Sequence, residues 1–329
     1  MPRDLVEGWA LLPAWYWLAL VTLVGASVGS FLNVVIARLP AGESLLSPGS
    51  RCPGCRQAIA WYDNIPVVSF LLLRGRCRRC GQSIAWRYPL VEILMAMLSA
   101  ALWLRFGWGW ELALWWPMSA ALLAIVFLDI DHWWVPDVIT FPAMAAAWIL
   151  AWAPGGLSPW QSLAGVAPAF GLWGVGWLFL RITGREGMGF GDVKLLAVIG
   201  LAVGWLDAVV VLLLASLQGA VVGILVTLTG GHRGVDDPVA PGLSGAHDDP
   251  GGGSNDGNRD PGSGDGDNDD DSDDDSDDDD DWVPPPGAFP FGPFLVLGTL
   301  QLVLLPDLFG ALLPRLSQWL TGWIAGPLP

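Results

Sequence analysis

The sequence predicts an all-α polytopic membrane protein of about eight transmembrane helices, with a small four-cysteine domain on the cytoplasmic side. Three observations lead there. Apolar residues fill 53% of the 329 positions and charged residues only 15%, well below the roughly 25% charged content of soluble domains. Apolar runs approaching the length of about 20 residues that crosses a bilayer as a helix recur along the chain. All four cysteines fall in one polar stretch between the first two of those runs.

The first run extends from Leu11 to Ile36 and ends at Arg38. A cleaved secretory leader is the competing reading, but Asp4 and Glu7 stand beside Arg3 where such leaders are basic. Gly25, Ser27, Gly29, Ser30 and Asn33 put small and polar side chains at helical spacing, which suits packing against other helices. Further runs cover 90–104, 112–128, 139–151 and 160–180. The stretch 194–228 is too long for one crossing, and "GWLD" at 204–207 reads as a turn, so it divides into two short helices. The eighth run covers 289–305. The resulting organisation is a first transmembrane helix (1–37), a cytoplasmic four-cysteine domain (38–89), a transmembrane core (90–230), an acidic cytoplasmic insert (231–288), and a last transmembrane helix with its tail (289–329).

Lysine and arginine concentrate on the cytoplasmic side of membrane proteins. With residues 39–89 inside, thirteen of the 16 basic residues lie on that side and only Arg3, Arg105 and Arg315 lie outside. The formal net charge of −16 belongs to one segment: residues 232–281 hold 19 Asp and 2 Arg, while the rest of the chain holds 14 basic and 13 acidic residues. That segment has almost no apolar residues and cannot bury a core, so it is expected to be disordered. Calcium binding is a sharper reading of "DGDND", but no Glu closes the loop and no helices flank it. No nucleic-acid partner is expected.

Cys52, Cys55, Cys77 and Cys80 form C-x2-C-x21-C-x2-C, and their flanks repeat at a period of 25: "CPGCRQAIAW" and "CRRCGQSIAW". Each half is a knuckle offering two thiolates, and two knuckles complete a tetrahedral four-sulfur zinc site. The gap is slightly longer than is usual for this pattern. Disulfides and an iron–sulfur centre are the alternatives; the reducing cytoplasm disfavours disulfides. A closed four-thiolate site leaves no open coordination position, so its role is structural.

Ionisable groups within membrane segments are costly and mark function. Asp129, Asp131 and Asp137 cluster in "FLDIDHWWVPD" at the cytoplasmic end of the third run, and Asp192 opens the sixth from the same side, followed by Lys194. Gly187, Gly189 and Gly191 precede Asp192 and would permit close backbone approach and φ values that other residues avoid. Two neighbouring carboxylates share one proton; one can activate water while the other protonates a leaving amine. The structural alternative is that these residues are helix caps and interface anchors.

"GMGFGD" ending at Asp192, "DIDHWWVPD" from Asp129 and the paired knuckles together resemble the prepilin peptidases, or type IV leader peptidases, as do "GSFLNVVIARLP" and "YPLVEIL". The resemblance covers the whole chain except the acidic insert. It implies an intramembrane-type aspartyl endopeptidase of the bacterial inner membrane, serving type IV pili or type II secretion. Such an enzyme cuts the leader of type IV prepilins or pseudopilins at the cytoplasmic face and, in many members, methylates the new N-terminus with S-adenosylmethionine. It also implies Asp129 and Asp192 as the catalytic pair, with Asp131, Asp137, Gly187, Gly189, Gly191 and Lys194 in support. Two readings from other classes stand beside it: a transporter bearing a zinc domain, and a structural subunit of a secretion system.

Overall fold

The structure, a computed structural model, describes residues 12–150, 152–153, 156–184, 189–228 and 289–309. The chain divides into two units, one comprising residues 1–224 with 289–329 and the other residues 225–288. The first unit holds the helical bundle and the cysteine loop. The acidic insert and the C-terminal tail beyond residue 309 lie outside the described residues.

The described residues are helical apart from loops and two isolated bridges. Helix α1 (Ala14–Arg38) leads into the cysteine loop, which holds a 3-10 turn (Trp61–Asn64) and the short α2 (Val68–Leu72). Then come α3 (Arg87–Phe106), α4 (Trp110–His132), α5 (Asp137–Leu150), α6 (Pro159–Ala164), α7 (Ala167–Thr183), α8 (Phe190–Val203), α9 (Trp205–Leu228) and α10 (Gly292–Leu304). The expected break in 194–228 falls at Gly204, whose φ of +89° suits glycine.

Among the described residues, five segments are long and apolar enough to cross a membrane: Ala14–Arg38, Arg87–Phe106, Trp110–His132, Pro159–Thr183 and Trp205–Leu228. The other three apolar runs fold as α5, α8 and α10, of 14, 14 and 13 residues. At 1.5 Å per residue these rise about 20 Å, against a hydrocarbon core of about 30 Å. The eight runs therefore all become helices, and among the described residues five are long enough for a full crossing, against the eight crossings expected from the sequence.

The largest helix interface joins α1 to α3. Gly25 and Gly29 sit one helical turn apart on the buried face of α1. A Cβ on Gly29 would lie 2.7 Å from the Glu92 Cα and 3.1 Å from the Met95 Cβ, so the glycines let the two backbones come together. Asn33 donates from Nδ2 to the Tyr88 carbonyl at 3.0 Å. Ser27, in contrast, faces outward and bonds its own helix at the Leu23 carbonyl.

Helix α8 is the hub. Leu195 to Ala202 are all buried, the pattern of a helix apolar on every side, and α5, α6, α7 and α10 all pack on it. Ser162 of α6 donates to the Leu201 carbonyl at 2.6 Å, and Gly165 and Gly200 bring their backbones into direct contact, where neither position has room for a Cβ. That contact coincides with the break between α6 and α7.

Candidate active site and metal centre

Asp129 lies in the last turns of α4 and is 6% exposed. Its Oδ2 accepts the backbone N–H of Gly292, the first residue of α10, at 3.1 Å. Asp192 stands in the first turn of α8. The two carboxylates lie within electrostatic reach of one another. Three helices therefore meet here: α4 supplies one carboxylate, α8 the other, and α10 a backbone donor.

The remaining acids of the cluster are placed differently. Asp131 is exposed and ion-paired with Arg87 at the start of α3. Arg87 also lies over the Phe127 ring, 5.2 Å from its centroid. Asp137 is exposed and accepts Lys194 Nζ at 2.6 Å; the same ammonium donates to the Val135 carbonyl at 3.2 Å. Lys194 thus ties the start of α8 to the loop between α4 and α5.

Gly191 belongs to the same junction. A Cβ there would lie 2.8 Å from Val135 Cγ2, so its glycine lets the buried Val135 seat against α8. Gly189 caps α8 at an ordinary φ of −70° and has no such crowding. The unusual φ values expected of these glycines are not used at 189 or 191; Gly187 lies outside the described residues.

Gly292 was not foreseen from the sequence. The signal available was its place directly before Pro293 at the opening of the last apolar run, a helix start in which Pro fits the first turn. Glu92 was also missed as a functional tie. This buried α3 carboxylate accepts the backbone N–H of Val67 at 2.8 Å, holding a β-branched residue at φ +60°, a costly conformation. It fastens the cysteine loop to the helix that succeeds it.

In that loop the sequence repeat becomes a structural one. Cys52 N–H donates to the Gln57 carbonyl and Cys77 N–H to the Gln82 carbonyl, at 3.0 and 2.8 Å. The bridges Arg51–Ala58 and Arg76–Ser83 also sit 25 positions apart. The halves clasp reciprocally: Gln57 accepts from Arg79, while Gln82 packs where a Cβ on Gly54 would have to go.

The four sulfurs all lie within 4.8 Å of one another, with Cys52 and Cys80 at 3.7 Å. Zinc–sulfur bonds of about 2.3 Å in a tetrahedron require sulfurs about 3.8 Å apart, so the site fits the ion. Backbone N–H groups of Cys80 and Arg79 hold the Cys77 thiol down at about 6. The Gln82 N–H favours the Cys80 thiolate, but desolvation and the three neighbouring sulfurs push it up to about 11. Four thiolates this close need a cation among them, which is what a metal supplies. Beside the site, Arg78 grips Asp63 through Nε and Nη2 at 2.7 to 3.0 Å and holds that carboxyl below its usual range.

Residues 23–106 match the bacterial peptidase A24 N-terminal domain, and residues 116–224 match the type IV leader peptidase family. The prepilin leader peptidase/N-methyltransferase of Pseudomonas putida is 38% identical over 222 residues, covering 60% of this chain and 76% of that protein. The chain belongs to the type IV leader peptidase family. The protein of the same name from Klebsiella pneumoniae is 37% identical over 214 residues, 61% of this chain and 94% of its own length. That of Myxococcus xanthus is 41% identical over 187 residues, but there the match spans 56% of this chain and only 55% of the relative. No solved structure matches this chain. Membership of this family sets aside the transporter and structural-subunit readings.

Proposed function

We propose that this multi-pass membrane protein is a prepilin peptidase that removes the leader of type IV prepilins or pseudopilins at the cytoplasmic face of the inner membrane, and N-methylates the new N-terminal residue. The arrangement that carries the reading is the buried carboxylate of Asp129 within electrostatic reach of Asp192, at the bundle end where Arg87 and Asp131 join the helices to the cysteine loop.

The chemistry comes from the pair. Two adjacent carboxylates hold one proton between them. The ionised member takes a proton from a water as its oxygen attacks the scissile carbonyl. The protonated member gives its proton to the amine as the C–N bond breaks, which leaves a carboxylic acid, a new amino terminus and the shared proton restored. Lys194, Asp137 and Gly191 support α8 at the loop that succeeds Asp129, and Asp131 anchors α3. A substrate helix in the bilayer would bring its cleavage point to this rim.

Zinc would be held by Cys52, Cys55, Cys77 and Cys80, neutralising their thiolates and closing the cytoplasmic domain. S-adenosylmethionine would supply the methyl group. The cysteine loop contains a cavity of about 550 Å³ whose lining includes Phe70, Trp86, Arg74 and Arg76. Its arginines suit an anionic group and it offers no acidic side chain to a sulfonium, so no residue is assigned to that cofactor.

The test is incubation of the purified full chain with a prepilin and mass spectrometry of the product. Release of a leader of defined length, with a mass increment of one methyl on the new N-terminus, is the expected result. An intact prepilin after incubation with folded, metal-loaded protein would reject the reading.

A further inference from the structure

Helix α10 begins with its amides fully allotted, and one goes to another helix. The first-turn N–H groups of any helix lack intrahelical partners. In α10, Phe294 and Leu295 donate to the Phe291 carbonyl at 3.0 and 3.3 Å. Pro293 has no N–H to give. Phe291, at the cap position, provides no side-chain acceptor. The remaining N–H, that of Gly292, goes to Asp129 Oδ2. A carboxylate from α4 thus caps α10 from outside the helix.

The glycine is required for room rather than for backbone freedom, since Gly292 is not among the residues with positive φ. A Cβ built on it would collide with Asp129 Oδ2, and would lie 3.2 Å from Asp129 Cγ and 3.3 Å from Leu195 Cδ2. Leu195 is fully buried in the hub helix, so an added methyl is accommodated by moving the Asp129 carboxylate, the far end of its side chain. Farther along, α10 is pinned to α9 by the Gln218–Gln301 amide pair at 2.7 Å and by Gly298 against the Val211 carbonyl. Helix α10 is therefore a fixed rod whose first amide reaches the buried acid.

We propose that Gly292 is a positioning residue for Asp129: its N–H fixes one carboxylate oxygen and its missing side chain leaves space for that carboxylate, so that the other oxygen is presented to the proton shared with Asp192. This rests on the peptidase reading. Misplacement of a reacting group by about 1 Å costs about 100-fold in rate, and the added methyl of alanine demands a displacement of that order. A positioning role acts on the chemical step, while a packing role acts on stability.

The experiment uses the full chain in membranes or detergent, with a prepilin as substrate, and compares Gly292→Ala with Gly298→Ala. For Gly292→Ala the expected result is kcat per folded molecule lowered about 100-fold, KM within about twofold and a melting temperature lowered no further than that of Gly298→Ala. Gly298→Ala, which crowds the α9 contact but not Asp129, is expected to melt lower and to keep its kcat per folded molecule. If Gly292→Ala does not accumulate, Asp129→Ala and Asp192→Ala are melted side by side. The contact predicts a lower melting temperature for Asp129→Ala alone, because only that change strands the Gly292 N–H; equal melting overturns the proposal. It is also overturned if Gly292→Ala keeps kcat within about threefold, or loses activity only in step with folded protein. Failure of the wild-type chain to cleave would instead reject the peptidase reading, and this inference with it.

Discussion

At the scale of single residues, burial separates carboxylates that look alike in sequence. Asp129 and Asp131 are two positions apart, yet one is buried against α10 while the other is exposed and paired with Arg87. Asp129→Asn and Asp192→Asn are each expected to lower prepilin cleavage on the order of 1,000-fold or more, as removal of one member of a catalytic unit does, with folded protein retained. Asp131→Asn should keep measurable cleavage. A cleavage time course on membranes with matched protein levels checks all three, and an active Asp129→Asn with a dead Asp131→Asn would reverse the assignment. Arg56 offers a second residue-scale test. It holds φ +54° at the position where Gly81 stands in the other knuckle, a conformation that costs a non-glycine residue about 1 kcal/mol or more. Arg56→Gly should therefore raise the melting temperature of the metal-loaded domain modestly, by the equivalent of about 0.5–1 kcal/mol.

At the scale of elements, two contacts decide whether the pieces form at all. The double knuckle has no sheet and little apolar core of its own, so its order depends on what sits among the sulfurs. Replacing any one of Cys52, Cys55, Cys77 or Cys80 with Ser is expected to lower zinc from about one ion per chain toward zero and to expose the loop to protease, because metal binding and folding are coupled. Elemental analysis of protein purified without chelator is the check. The α1–α3 contact depends on the absence of side chains at Gly25 and Gly29. Gly29→Leu should destabilise the bundle by about 1–3 kcal/mol, the usual range for overpacking, measured as a lower thermal midpoint in detergent.

At the scale of the whole molecule, the acidic segment differs in composition from the rest of the chain. Its 19 carboxylates repel one another and its composition cannot build a core. Loop closure entropy changes slowly with length, so deletion of residues 236–281 should leave peptidase activity largely intact. The rival outcome is recruitment of a positively charged prepilin leader, which would raise the encounter rate and fade with added salt. Kinetics of the deletion and the intact chain at low and high ionic strength decide between them. A severalfold loss of apparent affinity at low salt alone would make the segment a recruitment arm.

The membrane class, the positions of the apolar helices, the turn at Gly204 and the paired knuckles are legible in the sequence by itself, because hydropathy, glycine conformation and cysteine spacing are local properties of the chain. So is the candidate set of acids, since charge within an apolar setting is visible residue by residue. Only the tertiary structure decided which helices approach one another. That made α8 the hub at 14 residues, left α5, α8 and α10 too short to be counted as full crossings, turned Asp131 out to Arg87, and set Gly292 against Asp129 from 163 positions away. These outcomes depend on packing and on where spare hydrogen-bond donors find acceptors, and neither is encoded at a single position: the meaning of Gly292 lies in the carboxylate that occupies the space its side chain would have filled.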